Sequence, residues 1–208
     1  MIIACVSVFN EQRMLAGCLQ SIQDQLDRTV VVDGAYADFP HVLPYSTDGT
    51  KAIAWCYEAE WIGCRTVNGV ARPWRDEIEK RNAYLCGQEG DWYFVIDADE
   101  RLLGQLRDLP LQDGELYALS VYKRGGTLTW AQRIFQHKGY TRYEGTHYAV
   151  WRDGDLLRTR GDWVKVDPAR ARLLHLSDLR DVERQKAKRT YAAAERKCER
   201  GYREVYGI

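Results

Sequence analysis

Asp97 and Asp99, one residue apart after the apolar run Trp92–Ile96, are the side chains of this 208-residue chain best placed to do chemistry. The run Asp91-Trp92-Tyr93-Phe94-Val95-Ile96 reads as a buried strand. Side chains on an extended strand alternate faces, so the spacing predicts that Asp97 and Asp99 point the same way and Ala98 points away. Two adjacent carboxylates repel each other. They become favourable when a divalent cation sits between them and an anionic ligand, for example a nucleotide diphosphate. Polar residues end two other apolar runs: Asn10-Glu11 follows Ile2–Val8, and Asp33 follows Thr29–Val32. In an open parallel sheet, ligands bind beyond the carboxyl ends of the strands, where all three breaks would lie. Capping of the next helix explains Asn10 equally well, and Asp99 would also cap a short helix near Arg101. No helix begins directly after Asp33, which favours a ligand there.

The elements that must hold these residues alternate in the first half. Helical spacing of Leu15, Cys18, Leu19, Ile22 and Leu26 predicts a helix over Glu11–Leu26. A loop through Pro40 and Pro44 leads to a helix start at Ser46-Thr47-Asp48 and a helix over Lys51–Glu60. Trp61–Val67 reads as a strand, and Pro73 as the first turn of a helix reaching Leu85. This β-α-β-α order predicts a parallel sheet with helices on both faces. The second half reads as short strands over Glu115–Tyr122, Thr127–Gln136, Tyr140–Arg152, Leu156–Trp163 and Arg172–Leu176, then one long helix over Asp178–Arg203. No linker separates the halves, so one domain over residues 1–208 is expected.

Lys+Arg and Asp+Glu number 30 each, so the chain lacks the basic excess of a generic nucleic-acid binder. Seven Trp and thirteen Tyr suit a sugar or nucleobase pocket, although core packing accounts for most of them. Six cysteines without a Cys-x-x-Cys pair read as reduced thiols of a cytoplasmic protein. The opening Met-Ile-Ile-Ala-Cys reads as a buried strand and not as a signal peptide, and no apolar stretch is long enough for a transmembrane segment. Neither a Gly-x-Gly-x-x-Gly nor a Gly-Lys-Ser/Thr loop follows the first strand, which argues against dinucleotide-binding and P-loop enzymes. A diphosphate would then be held by metal and basic side chains. Arg72, Arg75, Lys80 and Arg81, with Trp74 among them, offer a basic helix face for it, although solvated surface charge explains Arg72 and Arg75 as well.

These motifs, taken in order, resemble family 2 glycosyltransferases of the GT-A fold. Val6-Ser7-Val8-Phe9-Asn10-Glu11 resembles their opening strand. Lys80-Arg81-Asn82 before Asp97-Ala98-Asp99-Glu100 resembles their Arg-Asn helix and DxD strand. Arg133-Ile134-Phe135 and Tyr143-Glu144-Gly145-Thr146-His147 resemble the acceptor-side segment, and His175 with Lys188-Arg189-Thr190-Tyr191 resembles the closing His and basic helix. The resemblance implies an α/β fold: a GT-A-like, mostly parallel, Rossmann-like sheet flanked by helices, with a β-rich second half and a long C-terminal helix. Residues 1–100 would bind the nucleotide sugar and residues 101–208 the acceptor. Phe9, Asn10, Glu11, Asp33, Arg81, Asp97 and Ala98 would line the nucleotide-sugar site. Asp97, Asp99 and His175 would hold Mn²⁺ or Mg²⁺. Glu144 and His147 are the candidate bases, with Arg133 beside them in the catalytic set. The implied activity is metal-dependent, inverting transfer of a hexose from a nucleotide diphosphate sugar, with a UDP-sugar expected, to a hydroxyl on a glycan, lipid or protein.

Two departures from the family pattern stand out. Asp33-Gly34 is separated from Ser46-Thr47-Asp48 by Ala35–Tyr45, whose Tyr36, Phe39, His41 and Tyr45 would cover the nucleotide. His147-Tyr148 stands where the family often has His-Glu. A nucleotidyltransferase and a non-catalytic sugar- or nucleotide-binding relative are the rival readings.

Overall fold

The computed structural model describes residues 1–39, 42–113, 115–123, 126, 128–145, 150–157, 163–176 and 186. Its elements run β1 (Ile2–Val8), α1 (Gln12–Ile22), β2 (Arg28–Asp33), α2 (Thr50–Cys56), β3 (Glu60–Ile62), β4 (Arg65–Val67), β5 (Val70–Arg72) and α3 (Glu77–Ala83). The named elements of the second half are strands: β6 (Trp92–Val95), β7 (Glu100–Gly104), β8 (Leu116–Lys123), β9 (Leu128–Gln136), β10 (Thr141–Tyr143), β11 (Val150–Arg152), β12 (Asp155–Leu156), β13 (Trp163–Lys165) and β14 (Ala171–His175).

Strands from both halves form one nine-stranded sheet in the order β3-β2-β1-β6-β9-β8-β14-β7, with β13 also paired to β8. β1 pairs in parallel with β2 and β6, and β2 with β3. β9 runs antiparallel to both β6 and β8. The sheet is therefore mixed α/β, parallel around β1, as the resemblance implied. Both faces of its parallel part are covered, so β1 and β6 are buried along nearly their whole length. Ala4, Val6 and Val8 of β1 join the core that holds Leu15, Cys18, Leu19 and Ile22 of α1. Ile3 and Cys5 join the opposite core with Tyr84, Tyr93 and Phe135.

The connection from β6 to β7 shows how far the sheet curls. Four strand spacings separate the two in the sheet order. In a flat sheet that is about 19 Å. Yet Glu100 N donates to Asp97 O at 2.8 Å, closing a tight turn between them, and such a turn spans less than about 7 Å. The sheet must bend until its last strand returns to the end of β6. There β7 meets α1: Leu102 N donates to Ser21 Oγ at 3.0 Å, and Gln25 Nε2 donates to Gly104 O at 3.0 Å.

Several boundaries differ from the sequence expectations. The helix expected from Pro73 begins at Glu77, because Asp76 is extended and accepts from Glu79 N at 2.7 Å as a cap. The expected strand Trp61–Val67 splits, and Arg65–Val67 turns back on Val70–Arg72. Asn68 (φ 52°) and Gly69 (φ 77°) make that turn, as their left-handed backbones permit. Near Arg101 the chain forms β7, not a short helix. The expected strand Tyr140–Arg152 divides into β10 and β11, which with β12 make a small separate sheet. The helix expected over Asp178–Arg203 lies outside the described residues apart from Lys186. No helix among the described residues is long and apolar enough to cross a membrane.

Candidate active site

The parallel part of the sheet has its switch point between β1 and β6, since β2 and β3 lie on one side of β1 and β6 on the other. The crevice beyond these carboxyl ends is where such sheets bind ligands. Asn10 leaves β1 with a left-handed backbone (φ 52°). It does not cap α1, whose N-cap residue is Glu11 and has no side-chain cap bond. Instead Asn10 Oδ1 accepts from Thr47 N at 2.9 Å, and Asn10 N donates to Ser46 Oγ at 2.7 Å. Ser46 in turn binds Asp33 through both its backbone N (2.9 Å) and its hydroxyl (2.5 Å). Glu11 N donates to Thr50 Oγ1 at 2.8 Å. The Ser46–Thr50 segment thus returns to Asp33 and laces the exits of β1 and β2 together, in spite of the Ala35–Tyr45 insertion.

That insertion packs aromatics over the same edge. The ring of Phe39 meets those of Phe9 and Tyr36 edge-on, at 6.0 and 6.5 Å between centroids. Trp74 N and O pair with Ala35 O and Ala37 N, strapping the start of the insertion to the segment before α3. Gly34 (φ 125°) allows this approach, since a Cβ there would lie 2.8 Å from Trp74 Nε1. His41 lies outside the described residues.

The Asp97-Ala98-Asp99 segment corrects one sequence expectation. β6 ends at Val95, and residues 97–100 form the tight turn, so strand alternation does not govern their side chains. The two carboxylates meet different partners. Asp97, with 28% of its side chain exposed, lies 3.4 Å from Arg81 Nη2 and 3.2 Å from Arg133 Nη2. Asp99 is fully buried, with Oδ2 at 3.6 Å from His175 Nδ1. Ala98 is buried and its carbonyl accepts from Arg101 Nη1 at 3.1 Å.

Glu100 joins the two halves of this cluster. Its Oε2 accepts from Asp97 N at 2.9 Å, and its Oε1 lies 2.6 Å from Arg133 Nη2 and 4.0 Å from His175 Nδ1. The strand register sets Glu100 directly opposite His175. Burial pushes the Glu100 carboxyl up, against the pull of Arg133. The sequence reading did not single out Glu100, although it is the third acid of a contiguous Asp-Ala-Asp-Glu run.

Helix α3 supplies the other wall. Arg81 pairs with Glu77 one turn back (2.7 Å) and donates to Tyr84 Oη at 3.1 Å. Tyr84 Oη is 3.4 Å from Tyr143 Oη, and Asn82 bonds both the N (2.7 Å) and the O (3.0 Å) of Tyr143. This seats Tyr143, at the end of β10, against α3. The expected basic helix face is not present. Lys80 and Arg81 are buried, Arg75 pairs with Asp76, and Arg72 lies exposed at the end of β5, off the helix. Glu144 is half-buried and its carboxylate binds Arg142 at 2.5 Å, while its carbonyl accepts from Trp151 Nε1 at 3.2 Å. His147 and Tyr148 lie outside the described residues.

Among the described residues no three His, Cys, Asp or Glu side chains converge as a ready metal-binding group. The donor set nonetheless fits a cation. Glu77, Asp97, Asp99 and Glu100 gather around the guanidinium groups of Arg81 and Arg133 and the ring of His175. Buried carboxylates are costly unless a cation, a proton or a metal offsets them. Asp99 and His175 present oxygen and nitrogen donors of the kind Mn²⁺ accepts, and such ions commonly complete their shell with substrate phosphates.

A mixed sheet parallel around β1, with acids at its carboxyl edge and an Arg-Asn helix beside them, is the arrangement implied by the resemblance to GT-A glycosyltransferases. No family model matches the chain. Curated relatives include the lipopolysaccharide core biosynthesis glycosyltransferase LpsC of Rhizobium meliloti, 32% identical over 107 residues (51% of this chain, 34% of that protein). An uncharacterized glycosyltransferase of Rickettsia felis is 29% identical over 99 residues (48% and 29%). A TPR repeat-containing protein of Synechococcus elongatus is 28% identical over 162 residues (73% and 36%). The chain is thus similar in sequence to bacterial glycosyltransferases, and it spans about a third of the length of the curated relatives it matches. Solved structures with partial likeness include Staphylococcus aureus TarS, at TM-score 0.45 and 19% identity over 61% of this chain and 22% of that one. Another is the Mycobacterium tuberculosis glucosyl-3-phosphoglycerate synthase with Mn²⁺, UDP and glucosyl-3-phosphoglycerate, at TM-score 0.40 and 20% identity over 60% and 44%.

Proposed function

We propose that this chain is a glycosyltransferase that moves a hexose from a nucleotide diphosphate sugar, UDP-linked in the first instance, to a hydroxyl of a glycan, lipid or protein. The observation that carries this reading is the meeting of Asn10, Asp33 and the Asp97–Glu100 turn at one crevice, with Arg81 alongside. Asn10 and Asp33, with Phe9 and Glu11, form the wall for the base and ribose. The acid turn, including Ala98, borders the diphosphate. Arg81 and Arg133 hold Asp97 and place two guanidinium groups where negative charge arrives. Asp97, Asp99 and His175 are the residues that would hold Mn²⁺ or Mg²⁺. When bound, that ion supplies Lewis-acid stabilisation of the charge building on the leaving diphosphate.

The acceptor hydroxyl needs a base within hydrogen-bond reach, on the face opposite the leaving group for inversion. Glu144 and His147 remain the proposed bases. Glu144 acts only once its carboxylate leaves Arg142. The five described cysteines are free thiols, which suits a reducing compartment, and we place the activity in the cytoplasm. Residues 1–100 supply the donor site and residues 101–208 the acceptor side of one domain.

A thermal-shift panel tests the reading, because a ligand that binds only the folded state raises its melting temperature. UDP and UDP-sugars are expected to raise Tm more with Mn²⁺ than with chelator, and Asp99→Ala should abolish the difference. If no nucleotide diphosphate shifts Tm with either ion, the proposal fails. An Asp97→Asn variant that loses stability but keeps full nucleotide binding would reduce the arginine pairs to a structural role. Release of pyrophosphate from a nucleoside triphosphate and a sugar phosphate would favour a nucleotidyltransferase instead.

A further inference from the structure

Arg101 lies against the acid turn and directs its donors at backbone carbonyls. Its Nη1 donates to Ala98 O (3.1 Å) and Glu100 O (2.8 Å), and its Nη2 donates to Met14 O of α1 (2.9 Å). The guanidinium fits there because residue 17 of α1 is glycine. A Cβ on Gly17 would stand 2.5 Å from Arg101 Nε, 2.6 Å from Nη2 and 2.7 Å from Cζ. Gly17 lies inside a regular helix, where alanine is the better residue by about 1 kcal/mol. Its backbone does not need glycine; the space beside it does. Two more ties join the same helix face to the turn and its strand: Cys18 Sγ to Asp97 O at 3.5 Å, and Leu102 N to Ser21 Oγ at 3.0 Å.

We infer that Arg101, seated against Gly17, is a positioning residue that fixes the acid turn to α1 and so sets where Asp97, Asp99 and Glu100 stand when a nucleotide diphosphate and its divalent ion bind. This rests on the reading of the site given above. The described donors of Arg101 go to backbone carbonyls. A planar guanidinium fork reaches three carbonyls at fixed angles, which a lysine ammonium does not reproduce. Groups that orient metal-binding side chains commonly change metal affinity by roughly 10–100-fold when removed.

The clash at Gly17 falls on the far end of a flexible side chain, so Gly17→Ala displaces Arg101 without breaking the helix. Gly17→Ala and Arg101→Gln are each expected to keep a folded protein and to weaken UDP binding in the presence of Mn²⁺ by roughly 10–100-fold in calorimetric titration. Arg101→Lys should fall between them and wild type. Because both changes cut one tie, the double variant should bind no worse than either single variant. Wild-type affinity in Gly17→Ala, or additive losses in the double variant, would overturn the inference. Amide hydrogen exchange of the ligand-free proteins gives an independent reading. Residues 98–102 should exchange faster in both single variants, and unchanged exchange also defeats the anchoring role. If wild type binds no nucleotide diphosphate with Mn²⁺, the glycosyltransferase reading falls while the exchange result still decides the anchor.

Discussion

Lys80 carries its ammonium into the protein rather than to the crevice beyond β1 and β6. Its Nζ donates at 2.6 Å to Val8 O and at 2.6 Å to Gly34 O, and it lies 5.3 Å from the centre of the Tyr36 ring. It therefore clips the exits of β1 and β2 together. Burial lowers its pKa to about 7, with Asp33 and Glu77 pulling the other way. An unfolded lysine titrates near 10.4. Between about 7 and 10.4 the unfolded chain keeps a proton that the folded protein has given up, so Lys80 makes stability rise with pH across that window. Below about 7 both states are charged and the cost of the buried ammonium remains. A neutral amine still has donors for both carbonyls. Urea midpoints measured from pH 7 to 9.5 should climb more steeply in wild type than in Lys80→Met, and parallel slopes would rule this out. At this scale Asn10 and Asp33 were legible as polar ends of apolar runs. The fate of Lys80 and Arg81 was not. Their inward turn depends on carbonyls and acids far away in sequence, and a run of basic residues alone gives no sign of that.

Helix α3 positions Lys80, Arg81 and Asn82, and its start depends on one cap. Asp76 accepts from Glu79 N at 2.7 Å. Asp76→Ala should cost about 1 kcal/mol, as loss of such a cap usually does, and should lower the midpoint of chemical unfolding accordingly. The exposed Arg75–Asp76 pair adds little to that loss. An unchanged midpoint would mean that packing alone holds the first turn. The cap was present in the sequence as Asp76 three residues before Glu79, but Pro73 drew the expected start too early. Asn68-Gly69 was an equally plain hairpin signal between Val67 and Val70. β7 was harder to see. Glu100-Arg101-Leu102-Leu103-Gly104 is too short and too polar to announce a strand, and it becomes one because β14 supplies its partner.

Across the whole molecule, the sheet joins sequence that is far apart. β14 lies between β8, which it pairs in parallel, and β7, which it pairs antiparallel. Leu173 at its centre is fully buried. Leu173→Ala should cost about 2–5 kcal/mol. Because one core cluster runs from Ala4 to Leu173, the loss should shift a single unfolding transition and not melt the second half alone. Two separate transitions in a calorimetric scan would contradict this. The parallel part was legible from alternating apolar runs and helical spacing. The antiparallel part and the curl were not, because strand order among short strands depends on long-range pairing that periodicity does not encode.

The place of β14 also governs the order of events on the ribosome. A nascent chain that has released residues 1–100 has every strand needed to pair β3, β2, β1 and β6. The strand that begins at Glu100 still lacks its neighbour, which arrives with residues 171–175. The turn can therefore be tied to α1 early, but its strand gains its partner, and Asp99 gains His175, only once residues 171–175 have been made. Stalled or prematurely released products would carry a built edge at β1 and β2 and an acid turn whose strand still lacks its partner.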